Sequence, residues 1–240
     1  MIAEALMYAR SLPATPAAFR RHLGPAVAYW GHGVRQFRAW TPHLSKMRSL
    51  LDTTLDDIPS RHTVAVLGSG PLFDIPIESL ARVFDRVLLI DRAHLASIDR
   101  RTRRYANIER IWHDLSSGAP HPLAFLNGIA GLDWVISSTL VSELGRNAAE
   151  STARAAVDAH IDGLSALNCA VTLIADVDTR TMDRAGGLLE EIDLLHGRTL
   201  PRPDNRWLWE VAPFGEESPA WRRVHSIAAW PLWRPPPGEK

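Results

Sequence analysis

Cysteine occurs once in these 240 residues, at Cys169. No internal disulfide can form, and there is no cysteine cluster for zinc or an iron–sulfur centre. Of 27 basic residues only Lys46 and Lys240 are lysine, and 27 acidic residues balance them. That balance removes the positive excess expected of a polybasic nucleic-acid binder. No apolar run approaches the roughly 18 residues a membrane span needs. The opening Met1-Ile2-Ala3-Glu4 puts an acid where a secretion signal would be basic. No HExxH or paired-histidine spacing is present, so no metal is expected. The expectation is a soluble cytoplasmic protein without a nucleic-acid or membrane partner, its oligomeric state left open.

Hydrophobic residues make up 46% of the chain, enough for one large domain with a sizeable core. Nine residues are Trp. Trp207, Trp209, Trp221, Trp230 and Trp233 cluster near the end, which favours packing on a sheet face over a ligand pocket. Residues 1–58 read as a helical cap. Phe19, Leu23, Val27, Trp30, Val34, Phe37, Trp40, Leu44, Met47 and Leu51 follow one another at helical spacing. Pro25 and Pro42 interrupt the pattern. Thr15-Pro16 and Thr41-Pro42 have the form of helix starts, so two or three short helices are expected.

From residue 59 to 233 the texture is α/β. Apolar runs at 63–67, 86–91, 107–112, 133–138 and 169–175 read as buried strands. Segments 75–84, 93–105, 123–128 and 148–167 read as helices between them. Such alternation predicts a mostly parallel sheet with helices on both faces. A further helix is expected at 182–195. Strands at 206–211 and 223–230 follow, joined too closely for a crossover and therefore antiparallel. The whole is a seven-stranded, mostly parallel sheet with an antiparallel C-terminal hairpin and an N-terminal helical extension. The proline-rich residues 234–240 read as a disordered tail.

Three loops at successive strand ends carry the chemistry. Gly68-Ser69-Gly70 lets the backbone approach a ligand. Asp91 ends the second strand, where a carboxylate can accept both hydroxyls of a ribose. Asp114, after His113, ends the third and can accept from an exocyclic amine. In an open α/β sheet such loops line the ligand crevice, and in this order they describe a nucleoside site. Each has a plainer reading as a tight turn, a helix cap or a turn acid.

With these residues in place the chain resembles the class I S-adenosylmethionine-dependent methyltransferases over roughly residues 60–232. The resemblance rests on Val64 to Gly70, Leu88-Leu89-Ile90-Asp91, Trp112-His113-Asp114-Leu115, Trp134 to Ser138 and the terminal hairpin. It implies S-adenosyl-L-methionine as cofactor, with Gly68 and Gly70 at its amino-acid part, Asp91 at the ribose and Asp114 at the adenine. Ser69, Arg92, Leu115 and Ser137 join that binding set. Asp74 would take the ammonium group, its plainer role being a helix N-cap. Two positions depart from the family: Val66 stands where it has an acid, and Leu72 where it has a third glycine.

Methyl transfer needs alignment and a dry site more than any universal catalytic residue. The stretch from Ser137 to Leu144 lacks the Asn/Asp-Pro-Pro-Tyr/Phe motif of enzymes that methylate amino groups of nucleic-acid bases. Glu143 is the first candidate base. His32, between Gly31 and Gly33, is the second, at an expected break in the helix that could form a lid. The run Arg100 to Tyr105 reads as a solvated helix face. The resemblance implies a methyltransferase acting on a small-molecule substrate, and three alternatives stay open: a catalytically silent methyltransferase-like binding or scaffold protein, an NAD-dependent oxidoreductase, and an aminopropyl transferase. Phe73 occupies the last glycine position of the dinucleotide motif and weakens the second.

Overall fold

The computed structural model describes residues 2–116 and 119–234; the tail call at 234–240 lies outside them beyond Arg234. Strands β1 (Thr63–Leu67), β2 (Arg86–Asp91), β3 (Ile108–Trp112), β4 (Leu132–Ser138) and β5 (Ala170–Asp183) are followed by β6 (Leu188–Asp193), β7 (Asn205–Ala212) and β8 (Trp221–Trp230). Seven of them form one path, β3-β2-β1-β4-β5-β8-β7, and β6 pairs with β5 beside it. β1 to β5 run parallel to one another, whereas β8 runs antiparallel to both β5 and β7.

The register follows from alternation. In β1, Val64 and Val66 enter one core with Trp134 and Ile136, while Ala65 and Leu67 enter the opposite core with Val135 and Val157. A period of two divides every core strand between the two faces in this way. Helices α1 (Ile2–Ser11), α2 (Leu23–Arg35), α3 (Phe37–Asp56), α4 (Ile77–Val83), α5 (Ala96–Thr102), α6 (Leu140–Asn147) and α7 (Glu150–Ser165) complete the chain. None is long and apolar enough to cross a membrane among the described residues.

The single apolar stripe read in the N-terminal segment divides in two. Leu23 and Val27 pack with Ala93 and Leu95. Trp40, Leu44, Met47 and Leu51 join the core under β1 and β4, so α3 is a sheet-covering helix. At the junction Val34 and Phe37 are 50% and 51% exposed. Pro25 sits in the first turn of α2, where its missing N–H costs nothing. Pro42 does not begin a helix; α3 starts at Phe37 and runs through it. The fully buried Trp40 side chain, whose indole donates to the Val211 carbonyl at 2.9 Å, holds that continuation in place.

The helix expected at 182–195 is absent. β5 continues to Asp183, reverses through Gly186 at φ 86° and Gly187, and returns as β6. The Asp183 carboxylate accepts the Gly187 N–H at 2.7 Å. Two adjacent glycines disfavour a helix interior by about 1 kcal/mol each, and pairing with the long β5 decides the outcome. Of the five late tryptophans, Trp207, Trp209, Trp230 and Trp233 are buried, as packing on the sheet predicts, whereas Trp221 is half-buried and Trp209 also lines a cavity. The Trp207 indole donates to His43 Nδ1 at 3.0 Å, and the His43 ring stacks on Trp209 at 4.2 Å.

Candidate functional site

The tips of β1 to β4 and one side of α2 enclose a cavity of about 340 Å³. Its floor is the glycine turn. Gly68 and Gly70 have φ of 64° and 50°, a region ordinary side chains avoid. A Cβ on Gly68 would stand 3.1 Å from Leu140 Cδ1. The Asp91 carboxylate clasps this turn, its Oδ2 accepting the Gly70 N–H at 2.8 Å and its Oδ1 the Ala93 N–H at 3.1 Å. Each oxygen keeps a further lone pair for a ligand.

Leu72 keeps the backbone that a third glycine would have, at φ 60° and with its side chain fully buried. The carbonyls of Leu72 and Phe73 accept from the guanidinium groups of Arg101 and Arg48. Arg101 is thus a brace for this loop, while Arg100, Arg103 and Arg104 of the basic run are exposed. Asp74 does not cap α4, whose N-cap is Pro76 without a side-chain bond. Its carboxylate lines the cavity and accepts from Ser138 Oγ at 2.7 Å. Burial raises its pKa.

Asp114 stands across the cavity. Its Oδ1 accepts from the Ser116 hydroxyl at 2.6 Å and the Ser116 N–H at 3.0 Å. Its Oδ2 lies 3.7 Å from both Arg21 and His22 at the start of α2. Burial pushes this carboxyl up, but the two Ser116 bonds outweigh it and hold the group below the usual range. Ser69, Arg92 and Leu115 line the same space. Ser137 does not. It is fully buried on the other face of β4, and its hydroxyl is 2.9 Å from His160 Nε2. The neighbouring Ser138 faces the cavity instead, since successive strand residues point to opposite sides.

Glu143 lies on the wall between this cavity and a smaller one of about 140 Å³. Burial, reinforced by the Asp91 charge, pushes its carboxyl up to about 6, and Arg92 lies 3.7 Å away. His32 belongs to the smaller cavity. The helix break expected there is absent, because α2 runs unbroken through Gly31 and Gly33. Those glycines permit close packing: a Cβ on Gly33 would be 2.4 Å from the Phe73 ring, and one on Gly31 2.3 Å from the Glu4 carboxyl.

Other lining residues gave no motif. Tyr29, Thr139 and Arg146 face both cavities. Thr139 is left-handed at φ 49°, a genuine outlier for a β-branched residue. Asp176 and His225 face the smaller cavity, joined through Asp176 Oδ2 and His225 Nδ1 at 3.0 Å. His22 at the N-cap of α2 and Ala26, Tyr29 and His32 within it recur at helical spacing, a second stripe beside the apolar one. That stripe is the signal that could have found the roof of the site.

A strand order of β3-β2-β1-β4-β5-β8-β7, with β8 alone antiparallel on that path and a cavity at the tips of β1 to β4, decides the architecture. The fold is that of the class I methyltransferases. No protein-family model matches the chain, and no curated protein does. Among solved structures it is similar to the N-methyltransferase NodS from Bradyrhizobium japonicum in complex with S-adenosylhomocysteine, at 16% identity over 77% of this chain and 85% of that one, TM-score 0.41. It is also similar to the 1,6-didemethyltoxoflavin N1-methyltransferase of Burkholderia thailandensis, at 14% identity over 83% and 84%, TM-score 0.44. An rRNA methylase from Streptococcus thermophilus matches at 14% identity over 75% and 94%, TM-score 0.37. At such scores these likenesses add nothing to what the strand order itself shows.

Proposed function

We propose that this chain is an S-adenosyl-L-methionine-dependent methyltransferase acting on a small molecule. The observation that carries the reading is the distribution of acids around the larger cavity. Asp91, Asp114 and Asp74 stand at the ends or just past the ends of three neighbouring strands, and all three line one space above a left-handed glycine turn. In this reading Asp91 takes the ribose hydroxyls, Asp114 an exocyclic amine through Oδ2, and Asp74 with Ser138 the ammonium group. Gly68, Ser69 and Gly70 admit the methionine backbone. When bound, the cofactor supplies a methyl group made electrophilic by its sulfonium.

The remaining groups are placed to handle the acceptor. Glu143 borders both cavities, and a carboxyl titrating near 6 is largely ionised at neutral pH yet able to hold and release a proton. Burial keeps the Tyr29 phenol protonated well beyond its ordinary range, so it acts as a donor on the wall shared by the two spaces. α2 roofs the larger cavity through Pro25, Ala26 and Tyr29. That cover is partial, Pro25 and Tyr29 themselves being exposed, and a crevice of about 340 Å³ beneath it suits a small acceptor.

Titration calorimetry with S-adenosylmethionine and S-adenosylhomocysteine tests the reading. Binding is expected, and no detectable heat at millimolar ligand would remove it. A fall in affinity in Asp91→Ala is expected in addition; unchanged binding would leave the chain a scaffold with an unrelated ligand site.

A further inference from the structure

Two residues lining the smaller cavity each carry a buried polar atom with no hydrogen-bond partner among the described residues. Asp176 is 2% exposed and Trp209 5% exposed, and both line the cavity. Asp176 Oδ2 is engaged twice, by the Ser142 hydroxyl at 2.7 Å and by His225 Nδ1 at 3.0 Å. Its Oδ1 has no hydrogen-bond partner, and neither has the Trp209 indole nitrogen. The first can only accept, the second only donate. A buried donor or acceptor left unpaired loses its hydration without replacement, so each atom favours a ligand that completes it.

The surroundings define the shape of such a ligand. β5 carries a bulge at Val177, directly after Asp176, where the pairing with β8 shifts register. Bulges of this kind re-aim a side chain beside a site. Four rings line it, Tyr29 and His32 from α2, Trp209 from β7 and His225 from β8, and the charged Glu143, Arg146, Glu217 and Arg223 complete the wall with Asp176. The His32 ring rests edge-on against Trp40 at 5.1 Å and the His225 ring against Trp209 at 5.6 Å, which fixes their planes. A volume of about 140 Å³ is close to the roughly 150 Å³ of an engineered cavity that admits benzene.

We infer that this cavity binds a small planar ring carrying a hydroxyl group, which donates to Asp176 Oδ1 and accepts from the Trp209 indole N–H. A hydroxyl supplies both functions in one group, whereas an ether oxygen only accepts and a methyl group does neither. That the ring is the methyl acceptor rests on the function proposed above; its binding does not.

Saturation-transfer and chemical-shift titrations with phenol, anisole and toluene test the inference on the full chain. Phenol should bind at least tenfold more tightly than either analogue, because it alone can donate a hydrogen bond to the charged carboxylate. Asp176→Asn should bring the three probes to within about threefold of one another. Trp209→Phe keeps the ring wall, removes the donor, and should weaken phenol while leaving toluene unchanged; it decides the matter if the Asp176 variant does not fold. Equal binding of phenol and toluene to the parent protein would show that the two atoms serve water alone and would overturn the inference, as would a phenol preference that survives both variants. Calorimetry with S-adenosylhomocysteine on the same parent sample reports separately on the methyltransferase reading.

Discussion

Substituting Leu72 by Ala and by Gly asks whether the loop really holds a left-handed leucine where a glycine would be at ease. The side chain is fully buried at φ 60°, so Leu72→Ala removes core volume at about 2–5 kcal/mol. Going on from Ala to Gly has three further effects. It relieves about 1–2 kcal/mol of left-handed strain. Against this, glycine loses roughly 0.5–1 kcal/mol more backbone entropy on folding, and the missing methyl forfeits about 0.8 kcal/mol of burial. These nearly cancel, so the two variants should have the same stability to within about 0.8 kcal/mol. At an ordinary buried position the strain relief is absent, and glycine would fall below alanine by the sum of the other two effects, roughly 1.3–1.8 kcal/mol. Urea unfolding followed by tryptophan fluorescence measures the difference directly, provided both variants share one m-value. A glycine variant less stable than the alanine variant by the larger figure would refute the left-handed assignment. It would also remove the idea that this departure from the family leaves the turn beneath the cavity intact.

Asp91→Asn keeps one acceptor and turns an NH₂ towards the other backbone N–H, so either Gly70 or Ala93 loses its partner. Affinity for S-adenosylhomocysteine should drop at least about tenfold by calorimetry, and an unchanged value would reduce Asp91 to a turn clasp. Gly33→Ala should destabilise the protein by about 1–3 kcal/mol, because the new Cβ meets the Phe73 and Trp40 rings. Gly31→Ala should do little, since the Glu4 side chain can swing aside; equal melting temperatures for the two variants would contradict that contrast. His160 is fully buried beside Ser137, and burial pushes its pKa down to about 4. The folded state keeps it neutral while the unfolded chain takes up a proton below the ordinary value near 6.5. Its stabilisation is therefore complete above pH 6.5 and is lost as pH falls towards 4, by roughly 3 kcal/mol at most. His160→Asn should flatten that part of the stability curve, and an unaltered slope would show that other groups cause it. Carboxyl NMR should find Glu143 titrating near 6; a midpoint in the ordinary carboxylate range would place it in open solvent.

Much of the sheet was legible because its strands announce themselves locally. β1 and β2 occupy the residues read as strands, since an apolar run bounded by turn residues has few other options. β6 shows the limit. Leu188, Leu189, Ile192 and Leu195 have the spacing of a helix face, yet the first three are 54%, 57% and 45% exposed on a strand. A partner strand, not local propensity, decided that segment. Ser137 and Ser138 show the same limit within one motif. Both stand in the strand that resembles the family, and the face each takes depends on the register of β4 against β1 and β5. Thr139 and Leu72 were invisible for another reason: nothing in a threonine or leucine signals a left-handed backbone, which here is imposed by the loops around it.

The two cavities differ in how they could be found, and the difference has a structural cause. The larger is built by loops that follow consecutive strands, so glycine, Asp91 and Asp114 occur in the chain in the order in which they line the space. The smaller draws Tyr29 and His32 from α2, Asp176 from β5, Trp209 from β7 and His225 from β8. These elements meet only because β8 inserts between β5 and β7 and because α3, with Trp40 buried against β7, delivers α2 to the same end of the sheet. A site assembled from such distant pieces leaves no spacing to read. Yet it is these pieces, with their unpaired carboxylate oxygen and indole nitrogen, that would select an acceptor. Under the proposed function, the cofactor side would therefore be a local property of the sequence, and the choice of substrate a property of the topology.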